Sequence, residues 1–85
     1  MQLILSNHVR QRLAQRGISA DEVREVLTPH RVIQTRPGDA PGKAIHLIDL
    51  PSGRRIEVIT APPVADAPPG GRVVVVTAWV YGDTA

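Results

Sequence analysis

The amino-acid sequence predicts an α+β domain in which a two-helix N-terminal hairpin, residues 6–28, packs on a four-stranded, mainly antiparallel sheet, residues 31–81. Helix-end signals bracket Gly17, and the apolar period switches from about 3.6 to about 2 after Arg31. Turn-forming clusters then divide the remainder into β-biased runs. The 85 residues make one domain, 1–85, with a thin core, because so short a chain buries only about 60 to 65% of its unfolded surface.

Gln2 to Leu5 reads as a short edge strand or an extended arm. Ser6 is suited to N-cap a first helix from Asn7 to Arg16, and Gly17 to the left-handed position that closes it. Ser19 and Glu22 fit a capping box, with Ile18 and Val23 as its hydrophobic staple. A second helix then runs to about Leu27 or Thr28, burying Val23, Val26 and Leu27, until Pro29 ends it. A first strand ends near Thr35, and Arg36 to Gly42 has loop composition. The second strand spans Lys43 to Leu50, Pro51-Ser52-Gly53 is turn material, and the third spans Arg54 to Thr60. Ala61 to Gly71, with four prolines and two glycines, is expected to be an irregular, mobile excursion. The last strand, Arg72 to Tyr81, has the strongest β bias in the chain.

A turn centred on Ser52 and Gly53 sets Leu47 opposite Val58, His46 opposite Ile59 and Ile48 opposite Glu57. That register turns Ile45, Leu47, Ile56 and Val58 toward the helices and leaves His46, Arg55 and Glu57 on the open face. In the last strand Val74, Val76, Ala78 and Val80 are the expected core side. Thr77, Trp79 and Tyr81 then share a polar and aromatic floor with His46, Arg55 and Glu57, and a slip of one residue inverts every assignment.

The net charge is +2, and Lys43 is the only lysine among ten basic residues. Arginine makes planar, bidentate contacts with phosphate or carboxylate, so a nucleic acid or an acidic protein is the partner class this balance suits. With no cysteine, neither a disulfide nor a thiolate metal site can form. The histidines at positions 8, 30 and 46 lack metal-ligand spacing, so no metal and no cofactor is expected. The opening apolar run is too short for a secretory signal, and no run approaches the roughly 18 apolar residues of a membrane span, so a soluble, cytoplasmic protein is expected.

One row of side chains stands out as chemical. His8, Arg12 and Arg16 recur at i, i+4 and i+8 and line one flank of the first helix, beside its Val9 and Leu13 stripe. Arg16 points to the edge of that stripe, where a helix serving packing alone would carry Leu or Ala.

The run SNHVRQRLAQRGISADEVREVL, the GRRIEVI strand and the VVVVTAWVY strand resemble the bacterial family catalogued as domain of unknown function 4258. That family's pattern has a His opening a helix, Arg four and eight residues later, an Ile-Ser helix start, a Gly-Arg before a strand and a Thr in the final strand. Here the matching residues are His8, Arg12, Arg16, Gly53, Arg54 and Thr77, while Glu57 stands where many relatives carry His. The resemblance implies a fold similar to RelE-type toxins and the barnase and colicin-type ribonucleases. It also implies a metal-independent endoribonuclease from a toxin and antitoxin or polymorphic toxin system, with RNA (tRNA or mRNA) as substrate and a cognate antitoxin or immunity protein as partner.

Metal-free RNA cleavage needs a base for the 2′-hydroxyl proton, an acid for the leaving 5′-oxygen and cations for the charge on the phosphorane. His8, one turn from Arg12, is the candidate base or proton shuttle. Arg12, Arg16 and Arg54 are candidates to hold the phosphate, and Thr77 to donate to a non-bridging oxygen. His46, Arg55, Glu57, Trp79 and Tyr81 are candidate substrate contacts; Trp79 or Tyr81 would stack a splayed base and Glu57 is a second proton-transfer group.

Plainer roles compete for the same residues. His8 can be an idle surface residue, Arg12 and Arg16 can cover apolar surface with their stems and pair with Asp49 or Glu57, and His46 can be an ordinary strand residue. His30 suits the C-terminal dipole of the second helix, and Trp79 and Tyr81, the only aromatics, serve core packing or an interface equally well. Beside the ribonuclease stands a non-catalytic module of the same fold, binding nucleic acid or a protein through the Arg row and the open sheet face. An antitoxin or immunity-like partner is a third reading, and it leaves the Arg row unexplained.

Overall fold

Ser6 accepts from the Val9 amide at 3.2 Å, and this cap starts a helix in a computed structural model that describes residues 2–27 and 31–81. The elements are β1 (Gln2–Ile4), α1 (Asn7–Gln15), α2 (Ala20–Val26), β2 (Val32–Pro37), β3 (Ala44–Asp49), β4 (Arg55–Ala61), a 3-10 turn (Val64–Asp66) and β5 (Arg72–Val80). Arg16 is the C-cap of α1, and Gly17, at φ 72°, lets Ile18 donate to the Leu13 carbonyl at 2.9 Å while Gly17 donates to Ala14 at 3.1 Å. The reciprocal Ser19 and Glu22 bonds of the capping box then open α2.

The sheet has five strands, not four, in the order β1-β5-β4-β3-β2, and it is mixed: β1 lies parallel to β5 and every other pairing is antiparallel. The N-terminal arm is therefore a true strand, joined to the far end of the chain. One face of the sheet carries the core, where Val9 and Leu13 of α1, Val23 and Leu27 of the α2 segment and Val64 of the 3-10 turn meet Ile48, Ile56, Val58, Val73, Val75 and Ala78. The proline-rich excursion is thus packed through Val64, contrary to the expectation of a purely irregular, mobile segment. His30 and the proposed stop at Pro29 lie outside the described residues.

Two local features overturn the expected faces. The β3–β4 turn places Pro51 and Ser52 at its centre, with Gly53 donating to Leu50 at 2.9 Å, and Gly53 takes φ 93° as the extra left-handed residue of a three-residue loop. This shifts the register by one, so that Ile48 faces Ile56, His46 faces Val58 and Leu47 faces Glu57. His46 consequently turns to the core side, while Ile45 and Leu47 turn to the open side. In β5, Val75 pairs with Thr60 and Thr77 with Ile59, so Val76 is an inserted bulge residue. The bulge hands the core side from Val73 and Val75 to Ala78, and leaves Val74, an expected core residue, 44% exposed.

Candidate functional site: the α1 flank and the edge of β5

β1 covers β5 only from Arg72 to Val74. Beyond it α1 takes over: its nine residues rise about 13 Å, the length of roughly four strand residues, which matches the distance from Val74 to Ala78. Tyr81 donates to the Arg55 carbonyl at 2.7 Å, so alternate residues of β5 turn their backbone groups to β4 and Ala78 turns away. Arg16 fills that place. Its Nη1 donates to the Ala78 carbonyl at 2.9 Å and to Thr77 Oγ1 at 3.1 Å, which shields an edge that would otherwise be open to another strand.

The expected pairing of Arg16 with Asp49 or Glu57 does not occur, and Arg16 and Thr77 are the two sequence-derived site residues in direct contact along this flank. Arg54 lies at the same end of α1, where Nη2 donates to the Gly17 carbonyl at 2.5 Å and stands 4.0 Å from Glu22. It braces the turn between the helices. His8 and Arg12 are exposed, and among the described residues neither forms a side-chain hydrogen bond or ion pair. His8 is separated from Arg16 by eight residues, about 12 Å along the axis, so the row is a strip and not a pocket. Arg10, on another side of α1 from the row, adds a further exposed cation to a helix that carries no acidic residue.

The open sheet face gathers a different set. Glu57, only 6% exposed, accepts from Trp79 Nε1 at 3.1 Å through Oε1. Arg36 stands 2.5 Å from Oε2 as an ion pair without an aligned hydrogen bond, so this carboxylate is held on both sides. Arg36 falls in the stretch read as loop from its composition; pairing with Ile45 makes it a strand residue and brings it to Glu57. Arg55 pairs with the exposed Asp49 at 2.7 Å, and that hydrogen bond holds the Asp49 carboxyl below its ordinary range and raises the Arg55 guanidinium. Tyr81 is 53% exposed at the end of the face.

His46 belongs to neither group. It is 1% exposed on the core side, with Nδ1 3.0 Å from Thr35 Oγ1 and Nε2 2.8 Å from Thr60 Oγ1, and Val64 N–H donates to Nε2 at 3.4 Å. Burial lowers its proton affinity, because the charged ring would lose solvation. The expected contribution of His46 to an open floor is therefore corrected: the register shift makes it a structural group that holds the excursion against the sheet.

Among the described residues no group of His, Asp and Glu is arranged to hold a metal ion, and no helix is long and apolar enough to cross a membrane. No curated protein and no solved structure matches this chain. A family profile does match, over residues 5–80, from the end of β1 to the end of β5, and the chain belongs to the family described as Domain of unknown function (DUF4258).

Proposed function

We propose that this protein binds single-stranded RNA along the α1 flank, with the phosphates on Arg12 and Arg16 and the bases directed over the β5 edge. The observation that carries this reading is the charge of α1: its cations have no acidic neighbour on the helix, whereas Arg36, Arg54 and Arg55 each stand against a carboxylate. Unpaired cations along an exposed strip suit a phosphate backbone, where each neutralised phosphate releases a counterion. Thr77, beside Arg16, offers a hydroxyl to the same backbone.

Metal-independent cleavage of that RNA is the second reading, favoured by His8, an exposed imidazole one turn from Arg12. In it His8 takes the 2′-hydroxyl proton, the arginines hold the charge on the phosphorane, and solvent protonates the leaving 5′-oxygen. Glu57 and His46 are poor second proton carriers, one being tied to Arg36 and Trp79 and the other buried on the opposite face. On this reading we further propose kinship with the RelE and barnase group, supported by the helical hairpin followed by antiparallel β2 to β5. The protein is then a bacterial, cytoplasmic toxin restrained by an antitoxin or immunity protein.

One experiment tests both. Labelled single-stranded RNA is titrated with wild type, Arg12→Ala and His8→Ala in EDTA across a salt series, and the same samples are run on a gel. The binding reading expects affinity that falls with salt and a log–log slope reduced by roughly 0.7 in Arg12→Ala. Salt-independent affinity, or no effect of Arg12→Ala, overturns it. Cleavage expects 2′,3′-cyclic phosphate ends from wild type and none from His8→Ala; equal products from both remove His8 from the chemistry.

A further inference from the structure

Thr35 of β2 and His46 of β3 are cross-strand partners. Gly38 donates to the Lys43 carbonyl at 2.9 Å, which continues the β2–β3 ladder, so alternation makes Thr35 and His46 a pair without mutual backbone bonds, the kind whose side chains stand closest. Their side chains meet, with Thr35 Oγ1 3.0 Å from Nδ1. Behind the ring, Nε2 lies 2.8 Å from Thr60 Oγ1, and Thr60 Oγ1 donates to the Pro62 carbonyl at 2.9 Å. A hydroxyl that gives its proton to a carbonyl offers the ring only lone pairs, so the tautomer that completes this chain carries its proton on Nε2 and accepts the Thr35 hydroxyl at Nδ1. The other tautomer gains the 3.4 Å contact with Val64 N–H and gives up the shorter Thr60 to Pro62 bond.

A hydroxyl donating to a neutral imidazole whose second nitrogen is held by a third group is the arrangement that activates a weak nucleophile. Burial keeps the ring neutral, and therefore basic, at neutral pH. Thr35 itself is exposed, so the hydroxyl meets solvent while the imidazole behind it does not. Both residues line a cavity of about 180 Å³ whose apolar walls are Val32, Ile33, Val64 and Ala65 and whose lining carries no charge. An apolar cavity of roughly 150 Å³ takes a benzene-sized molecule, so a short acyl chain fits this one. Strand alternation also turns the Thr35 N–H outward, where no other strand among the described residues takes it, as a donor to an oxyanion formed on Oγ1.

We infer that Thr35 and His46 are the nucleophile and general base of a second site, which hydrolyses a small neutral ester whose acyl chain enters this cavity. Oγ1 bonds to the acyl carbon as its proton passes to Nδ1; the bond from that carbon to the alcohol oxygen breaks, and the alcohol leaves with the proton from Nδ1. Nδ1 then takes a proton from water, the resulting hydroxide bonds to the acyl carbon, and Oγ1 departs and recovers the proton, leaving a carboxylic acid. Throughout, Thr60 and Pro62 hold Nε2–H, so the ring keeps its grip on the excursion. The site is independent of the RNA reading, since β2 and α1 lie at opposite edges of the sheet.

The test incubates the full chain with p-nitrophenyl acetate, follows p-nitrophenolate release, and locates acetyl groups by peptide mass spectrometry after an acid quench. Acetyl on Thr35 is expected, retained at that position in Thr35→Ser and absent in Thr35→Val, an exposed site where the isosteric change spares the fold. His46→Gln is expected to slow acetylation of Thr35 at least about 100-fold. Ala65→Trp, which fills the cavity from an exposed turn position, is expected to slow it at least about tenfold while the NMR spectrum keeps its dispersion. Acetyl groups confined to other residues, release by wild type no faster than by Thr35→Val, equal labelling of Thr35 in His46→Gln, or indifference to Ala65→Trp overturns the proposal.

Discussion

Arg16 and Thr77, 61 positions apart, are joined by a 3.1 Å hydrogen bond from Nη1 to Oγ1, and the same nitrogen reaches the Ala78 carbonyl. One side chain thus fixes α1 to the strand edge it runs beside. Arg16→Ala removes both bonds and is expected to cost about 1 to 3 kcal/mol, because the partly buried carbonyl loses its donor. Thr77→Val removes only the hydroxyl contact and should cost about 1 kcal/mol. Urea unfolding of the two variants checks the order; a larger loss for Thr77→Val would reject this account of the edge.

His46 makes stability depend on pH. Burial holds its proton affinity below the ordinary value of 6.5, so the unfolded chain takes up that proton first as pH falls. Its contribution is complete above about pH 6.5 and is lost progressively below it, toward the lowered folded value. A protonated ring also has no acceptor for the Val64 N–H. Unfolding free energies of wild type and His46→Gln, measured from about pH 7 to about pH 5, should converge as pH falls. Parallel curves would be fatal to this assignment.

Glu57 should depend on its cation. Arg36→Met keeps the aliphatic stem but leaves a nearly buried carboxylate with Trp79 as its remaining partner, and a loss of about 1 kcal/mol is expected, discounted because Arg36 is itself half exposed. Trp79, the only tryptophan, reports the change directly through its fluorescence. In the double variant Arg36→Met with Glu57→Gln, most of the loss should disappear; an additive loss would mean that the two residues do not interact.

Gly17→Ala tests the joint between the helices. The glycine sits at φ 72°, and an added Cβ would lie 3.3 Å from Arg54 Nη1, so the substitution combines left-handed strain with crowding of the brace. A cost of about 1 to 2 kcal/mol is expected. Combining Gly17→Ala with Arg54→Ala removes the crowding but not the strain. Thermal unfolding of the pair should therefore show a loss smaller than the sum of the two, and a sum that closes would exclude the contact.

Most of the helical hairpin was legible because its signals are local. Ser6, Gly17, Ser19 and Glu22 act within a turn or two of themselves, and each takes its expected capping place. The strands were legible as runs, but their faces depend on single insertions. A left-handed Gly53 and a bulged Val76 each change the count by one residue, and alternation carries such a change along the strand. His46 moved from the open floor to the core for this reason alone. The contact of Arg16 with Thr77 was legible only as shared candidacy, since it spans nearly the whole chain. Arg36 was missed because proline and glycine beside it mask a strand that ends on Pro37.

The parallel pairing of β1 with β5 has a bearing on the order in which the fold is assembled. Leu3 waits for Val73, 70 residues later, and α1 has its main sheet contacts with that same strand. During synthesis the helical hairpin is made first, yet the strand that would bury Val9 and Leu13 comes last. The antiparallel ladder from β2 to β4 can form from neighbouring segments, whereas closing β1 onto β5 requires the longest loop in the molecule. A nascent chain halted before Arg72 therefore leaves the apolar stripe of α1 uncovered, and release of β5 completes the core in one late step.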